Sequence, residues 1–248
     1  MRKGRNRVRV VGRLPPAGDG MRAVHQQVLR SFAATGHAPS AADLAETAAR
    51  YGATADEVLA ALHAGDYLQL GPDGRIRAAY PFSGVPTPHL VDIDGGPRVY
   101  AMCAIDALGM AAMLGTGVTI TSADPGTGQK ITVTVRADGK TAEWQPVTAV
   151  VFNGRLISGE ACGPGPSGEA CGPGPSGEAC GPGPSAVPAS AEVCCGYMNF
   201  FGTRASAAAW GAAHPEITGE ILGQAAALRL GVDIFGRSLE GRSDGPDR

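Results

Sequence analysis

Residues 158–184 are the nine-residue unit SGEACGPGP written three times without a single difference. Glycine and proline fill more than half of each unit, so the stretch cannot bury a core, hold a helix or pair along a strand. It reads as an extended, mobile insert in a surface loop, where added length costs little closure entropy. Any folded core must be built from the sequence on either side of it and close across it. Identity at every position points to recent tandem duplication. Each unit contributes one thiol: Cys162, Cys171 and Cys180.

The remainder can supply that core. Of 248 residues, 44% are hydrophobic and 18% charged, ordinary values for a globular protein. A net charge of -2 gives no general attraction to nucleic acid or anionic membrane. The first twenty residues are the exception, with Arg2, Lys3, Arg5, Arg7, Arg9 and Arg13 against one acid, Asp19. They read as a disordered basic tail over 1–20, or as a start set too early with Met21 the true initiator, in preference to a nucleic-acid arm. They lack the apolar stretch of a secretory signal. Asp106 interrupts the best candidate for a membrane span. A cytoplasmic protein is expected, and there the six cysteines are thiols: ligands, nucleophiles or bystanders before disulfides.

Residues 22–70 predict three short helices. RAVHQQVLRSFAAT sets Val24, Val28 and Phe32 on one face. Ser40 caps the second helix, and Thr54 with Glu57 makes a capping-box spacing for the third. YLQLGPDGRIRAAYPF then predicts two strands around a Pro-Asp-Gly turn. Three helices and a hairpin give a winged-helix-like module over 21–82. Its third helix carries Asp56, Glu57 and His63 but no Lys or Arg, so DNA is not an expected partner. Beyond it, PTPHLVDIDGGPRVYA, GVTITSADPGTGQKITVTVRADGKTAEW and PVTAVVF predict strands joined by turns. EVCCGYMNFFGT is expected as a strand, ASAAAWGAAHP as a helix, and TGEILGQAAALRLGVDIFG as one final helix before a tail over 237–248. The fold class is α+β: the three-helix module packed on a mixed or antiparallel-sheet catalytic domain with flanking helices, over 83–236.

Two places carry ionisable groups that a core does not need. VYAMCAIDALGMAAM is almost wholly apolar yet holds Cys103 and Asp106, three apart and therefore on one helical face. A buried Cys alone is ordinary. A carboxylate in the same run needs a partner or a purpose. The second place is Cys194-Cys195. On a strand adjacent side chains diverge, so only one of the two is expected to enter a site with Cys103. No HExxH, CxxC or Gly-x-Ser-x-Gly signature is present, and the five histidines show no ligand spacing. Two thiols from distant segments plus one acid suit a soft metal that accepts two-coordinate sulfur, mercury being the extreme case.

VYAMCAIDALGMAAMLG resembles the first active-site segment of the alkylmercury (organomercurial) lyase family, and EVCCGYMNFFGTRASAAAW resembles the second. The resemblance implies catalytic roles for Cys103, Asp106 and Cys194, with Cys195 a less essential neighbour. It implies protonolysis of a carbon–mercury bond to a hydrocarbon and Hg(II), the product held by Cys103, Cys194 and Asp106. No cofactor is required; exogenous thiols support turnover, and a mercuric reductase is a possible Hg(II) acceptor in mercury detoxification. Two departures stand out: Asp124 occupies the place of a further structural cysteine, and the repeat, with its possible accessory thiols, is not a family feature. The alternative is a mercury-binding winged-helix sensor, or a sequestration protein without lyase activity.

Overall fold

The computed structural model describes residues 16–157 and 194–240. The repeat with Cys162, Cys171 and Cys180, nearly all of the basic start, and most of the expected tail lie outside the described residues.

Helix α1 (Asp19–Thr35) buries Val24, Val28, Leu29 and Phe32 completely, the face its apolar spacing predicts. Gly36 ends it in the left-handed region, φ 79°, its amide donating to the Phe32 carbonyl. Helices α2 (Ala41–Ala49) and α3 (Ala55–Ala64) both begin in capping boxes, Ser40 with Asp43 and Thr54 with Glu57. Strands β1 (Leu68–Leu70) and β2 (Ile76–Ala79) follow as an antiparallel pair.

This pair does not stand apart from the rest. Strand β3 (Phe82–Ser83) joins β2 to β5 (Arg98–Ala101), and β4 (Leu90–Ile93), β6 (Val118–Ala123), β7 (Lys130–Val135) and β8 (Ala142–Gln145) complete one antiparallel sheet of order β1-β2-β3-β5-β4-β6-β7-β8. Phe32 stacks on Phe82 at 5.3 Å between ring centroids, tying α1 to the sheet. One apolar cluster runs from Val24 to Phe235. Helix α4 (Ala104–Leu114) lies at its centre, with every residue from Ala104 to Ala111 buried.

A second sheet, β10-β9-β11, is built from β9 (Val150–Leu156), β10 (Met198–Phe201) and β11 (Ile217–Leu222). Helix α5 (Arg204–Ala213) connects β10 to β11, and α6 (Gln224–Phe235) packs across α4. The fold is α+β, as expected.

Three local expectations give way. TGEIL is strand β11 and not the start of a helix, because it pairs with β9 along its whole length. That pairing sets Gly219 opposite Gly154, where a Cβ on Gly219 would lie 2.6 Å from the Asn153 carbonyl oxygen. The contact selects two glycines that local propensity counts only as helix-weakening. Cys103 lies outside α4, as its N-cap in extended conformation. The segment CCGYMNFF is strand only from Met198; Cys195–Tyr197 forms a single 3₁₀ turn.

Candidate active site

The end of β5 delivers the chain to the site. The Met102 amide donates to the Pro81 carbonyl (3.1 Å), and Cys103 follows with φ −155° and ψ 177°. Its sulfur accepts the Asp106 amide at 3.4 Å, the place a serine or aspartate oxygen usually takes at a helix N-cap. Cys103 and Asp106 therefore meet because one caps the first turn of the helix that carries the other.

The 3₁₀ turn brings in the third group. The Sγ atoms of Cys103 and Cys195 and a carboxylate oxygen of Asp106 all lie within 4.8 Å of one another. Two metal–sulfur bonds of about 2.3 Å each span at most about 4.6 Å, so the sulfurs are within the reach of a single bridging ion. All three residues are buried, Cys103 at 1% exposure, Asp106 at 6% and Cys195 at 7%. The Cys103 thiol also donates to the Met198 thioether at 3.8 Å, which places a further soft atom against its sulfur.

The geometry favours one member of the adjacent pair. Cys195, not Cys194, carries the sulfur that joins Cys103 and Asp106; Cys194 is half-buried at the entrance to the turn. Expecting a strand made the two side chains simple alternatives on opposite faces. The turn, closed by the Tyr197 amide donating to the Cys194 carbonyl (2.9 Å), places them by a different rule.

Burial pushes the Cys103 thiol well above its usual range, with the Cys195 thiol and the Asp106 charge acting in the same direction. The Asp106 amide at the helix N-terminus opposes them. Helix-end effects are worth about 0.3–1 kcal/mol, rarely near 2, and desolvation of a buried charge outweighs that. The net direction for Cys103 is therefore upward, toward the thiol.

Asp124, a departure from the expected pattern, proves structural. It is 1% exposed and accepts from the Gly126 amide (2.8 Å), the Thr127 amide (3.1 Å), the Gly202 amide (2.9 Å) and the Ser206 hydroxyl (2.7 Å). It ties the β6–β7 turn to the end of β10. The Pro125-Gly126 turn carries no local sign of this knot, because its partner half, Gly202 and Ser206, lies some eighty residues on.

Two buried thiols and a carboxylate closing on one point in an antiparallel α+β fold form a donor set that suits a soft metal, with an acidic group beside the sulfurs. Residues 82–163 and 180–236 match the model of the alkylmercury lyase family, and the gap between these segments falls within the repeat. The chain belongs to the alkylmercury lyase family. It is similar to the alkylmercury lyase of Staphylococcus epidermidis, 37% identical over 106 residues covering 43% of this chain and 48% of that protein. The alkylmercury lyase of Bacillus cereus is 31% identical over 134 residues, 54% of this chain and 58% of that protein. The chain spans about half the length of the curated relatives it matches. Among solved structures, the mercury-bound form of MerB2 shares the fold with a TM-score of 0.65 at 22% identity, covering 90% of this chain and 92% of that one. Among the described residues, no helix is long and apolar enough to cross a membrane.

Proposed function

We propose that this protein is a carbon–mercury lyase acting on organomercurials R–Hg–X, with Cys103, Cys195 and Asp106 as its reacting groups and Cys194 as an auxiliary thiol on the same turn. The observation that carries the reading is the convergence of two buried sulfurs and one carboxylate within 4.8 Å, in a chain of this family. The first thiol displaces X, which leaves with that thiol's proton. The second thiol gives its proton to Asp106, and its thiolate adds to the same mercury. Donation from two sulfurs weakens the carbon–mercury bond. Protonated Asp106 then hands its proton to the departing carbon, acting as general base and later as general acid. The balance is R–Hg–X plus two thiols giving RH, HX and Hg(II) bound by two thiolates.

Burial pushes the Cys103 thiol upward, which favours its keeping a proton for these steps. No organic cofactor enters these steps. Free thiols take the product off by exchange, in a cytoplasm that keeps cysteines reduced, and a mercuric reductase is the natural acceptor. The test is phenylmercury with excess thiol, followed by gas chromatography. Benzene formed in repeated turnover is the expected result. Stoichiometric mercury binding with no benzene overturns the reading and favours a sensor or sequestration role.

A further inference from the structure

Catalysis by two sulfurs from remote segments requires that the turn carrying Cys195 be held in place. It is only three residues long, and within it the Tyr197-to-Cys194 hydrogen bond fixes its curl but not its position. Position comes from a buried polar chain that the mechanism above does not use. The Asn199 side-chain amide donates to the Gly196 carbonyl at 3.1 Å, inside the turn. Asn199 is 9% exposed. Its side chain hydrogen-bonds the His89 ring. His89 is 2% exposed, its Nδ1 lies 3.0 Å from the Ser122 hydroxyl, and the ring meets Phe200 edge-on at 5.7 Å. The chain thus runs from β6 through the residue before β4 to β10 and ends on the residue next to Cys195.

The chemistry of the ring makes this a directed connection. Burial pushes His89 down to about 4, with the Asn199 bond pulling weakly the other way, so the imidazole is neutral at physiological pH. A neutral imidazole has one donor and one acceptor. With Nδ1 accepting from Ser122, its single N–H meets the Asn199 carbonyl. Asn199 is then oriented with its NH₂ toward Gly196, and a flipped amide would set donor against donor. A histidine this buried would ordinarily be replaced by an apolar residue at little cost, or at a gain, if packing were its only task.

We propose that His89 and Asn199 are positioning residues for the thiol-bearing turn: the Ser122–His89–Asn199 chain holds the Gly196 carbonyl and thereby fixes how the Cys194–Cys195 pair is presented to Cys103. The inference rests on the functional reading above, and its test separates the two. Full-length protein is loaded with Hg(II) chloride and titrated with free cysteine to measure how tightly the ion is held; phenylmercury kinetics are taken in parallel, with urea unfolding for each variant. Partners that orient metal ligands typically change affinity 10- to 100-fold when removed. Asn199→Ala and His89→Phe, which keeps an aromatic ring against Phe200, are each expected to weaken Hg(II) retention about tenfold or more. kcat is expected to fall more than KM rises. The double variant is expected to lose little beyond the worse single, because one chain is cut twice. Ser122→Ala, at the far end, gives a smaller loss in the same direction and serves if either other variant fails to fold. Variants that unfold more easily in urea but hold Hg(II) as wild type does overturn the proposal. Wild-type protein that holds no Hg(II) with two thiols overturns the functional reading, and this inference with it.

Discussion

The crossing of α4 and α6 allows a quantitative test of how the fold supports the site. Gly109 and Gly231 face each other there. A Cβ on Gly109 would lie 2.6 Å from the Gly231 carbonyl oxygen and 2.7 Å from the Phe235 ring; a Cβ on Gly231 would lie 2.8 Å from both the Gly109 nitrogen and the Ile105 oxygen. Most of these obstacles are backbone, which cannot rotate aside. Restoring ordinary contact requires the helices to part by about 0.8 Å or more. Overpacking of this kind costs about 1–3 kcal/mol, while replacing a mid-helix glycine by alanine returns about 1 kcal/mol of propensity. The clash wins, because the whole helix must move, and Gly109→Ala is expected to destabilise by about 1–2 kcal/mol. In urea, with a slope of about 1–3 kcal/mol/M, that moves the midpoint down by roughly 0.3–2 M. Gly231→Ala acts at the same gap. Once one methyl has opened the crossing, the second enters cheaply, so the double variant should lose less than the sum of the singles. Because α4 begins beside Cys103 and carries Asp106 in its first turn, both variants should also hold Hg(II) less tightly. An unchanged or raised midpoint for Gly109→Ala, at constant slope, would refute the reasoning.

Other substitutions probe the remaining parts. Cys103→Ala and Cys195→Ala should nearly abolish benzene release from phenylmercury, whereas Cys194→Ala should be mild; the reverse order for the adjacent pair would return the second role to Cys194. Asp106→Ala should keep Hg(II) but lose most proton delivery, measured as benzene released in a single turnover, and full activity would sink the acid–base assignment. Burial alone would raise the Asp124 carboxyl, but the Ser206 hydroxyl and the Gly202, Gly126 and Thr127 amides together hold it below its usual value. Its contribution is therefore present above the unfolded pKa and lost as pH falls through the lower, folded one. Asp124→Ala should cost about 1–3 kcal/mol at neutral pH by stranding buried donors, and the deficit against wild type should shrink in acid urea titrations below about pH 4. Deleting residues 158–184 should leave turnover and mercury stoichiometry unchanged; a fall in either would support a thiol relay by Cys162, Cys171 and Cys180.

Much of this was legible in the sequence wherever one local rule decides the outcome. Ser40 and Thr54 announced their helices because a cap needs only its own first turn. Val24, Val28 and Phe32 announced a buried face through spacing alone, and all three are fully buried. The strands around Asp94-Gly95 and Asp138-Gly139 followed from turn chemistry. The failures share a different cause. Strand β11 exists because β9 offers it a partner and Gly154 leaves room for Gly219, and neither fact is local to TGEIL. Strand β3, two residues long, likewise depends on distant partners: it carries the sheet from the hairpin into the main body.

The site divides along the same line, and this explains why one thiol was easier to place than the other. Cys103 and Asp106 are joined by three residues of chain and one hydrogen bond from Asp106's amide, so any helix beginning at Ala104 brings them together. Cys195 arrives from more than ninety residues away, and adjacency to Cys194 makes its orientation sensitive to a single turn of backbone. Alternation along a strand would present one sulfur of the pair; the 3₁₀ turn presents the other. A composition count sees two equivalent cysteines, and only the groups that fix the turn break the tie. Those groups, Asn199 in β10 with His89 behind it, carry no chemistry toward mercury themselves. Their task is to convert a flexible-looking Cys-Cys pair into one sulfur at the correct distance. A soft-metal site assembled from two remote thiols therefore depends on polar residues that no ligand motif would single out.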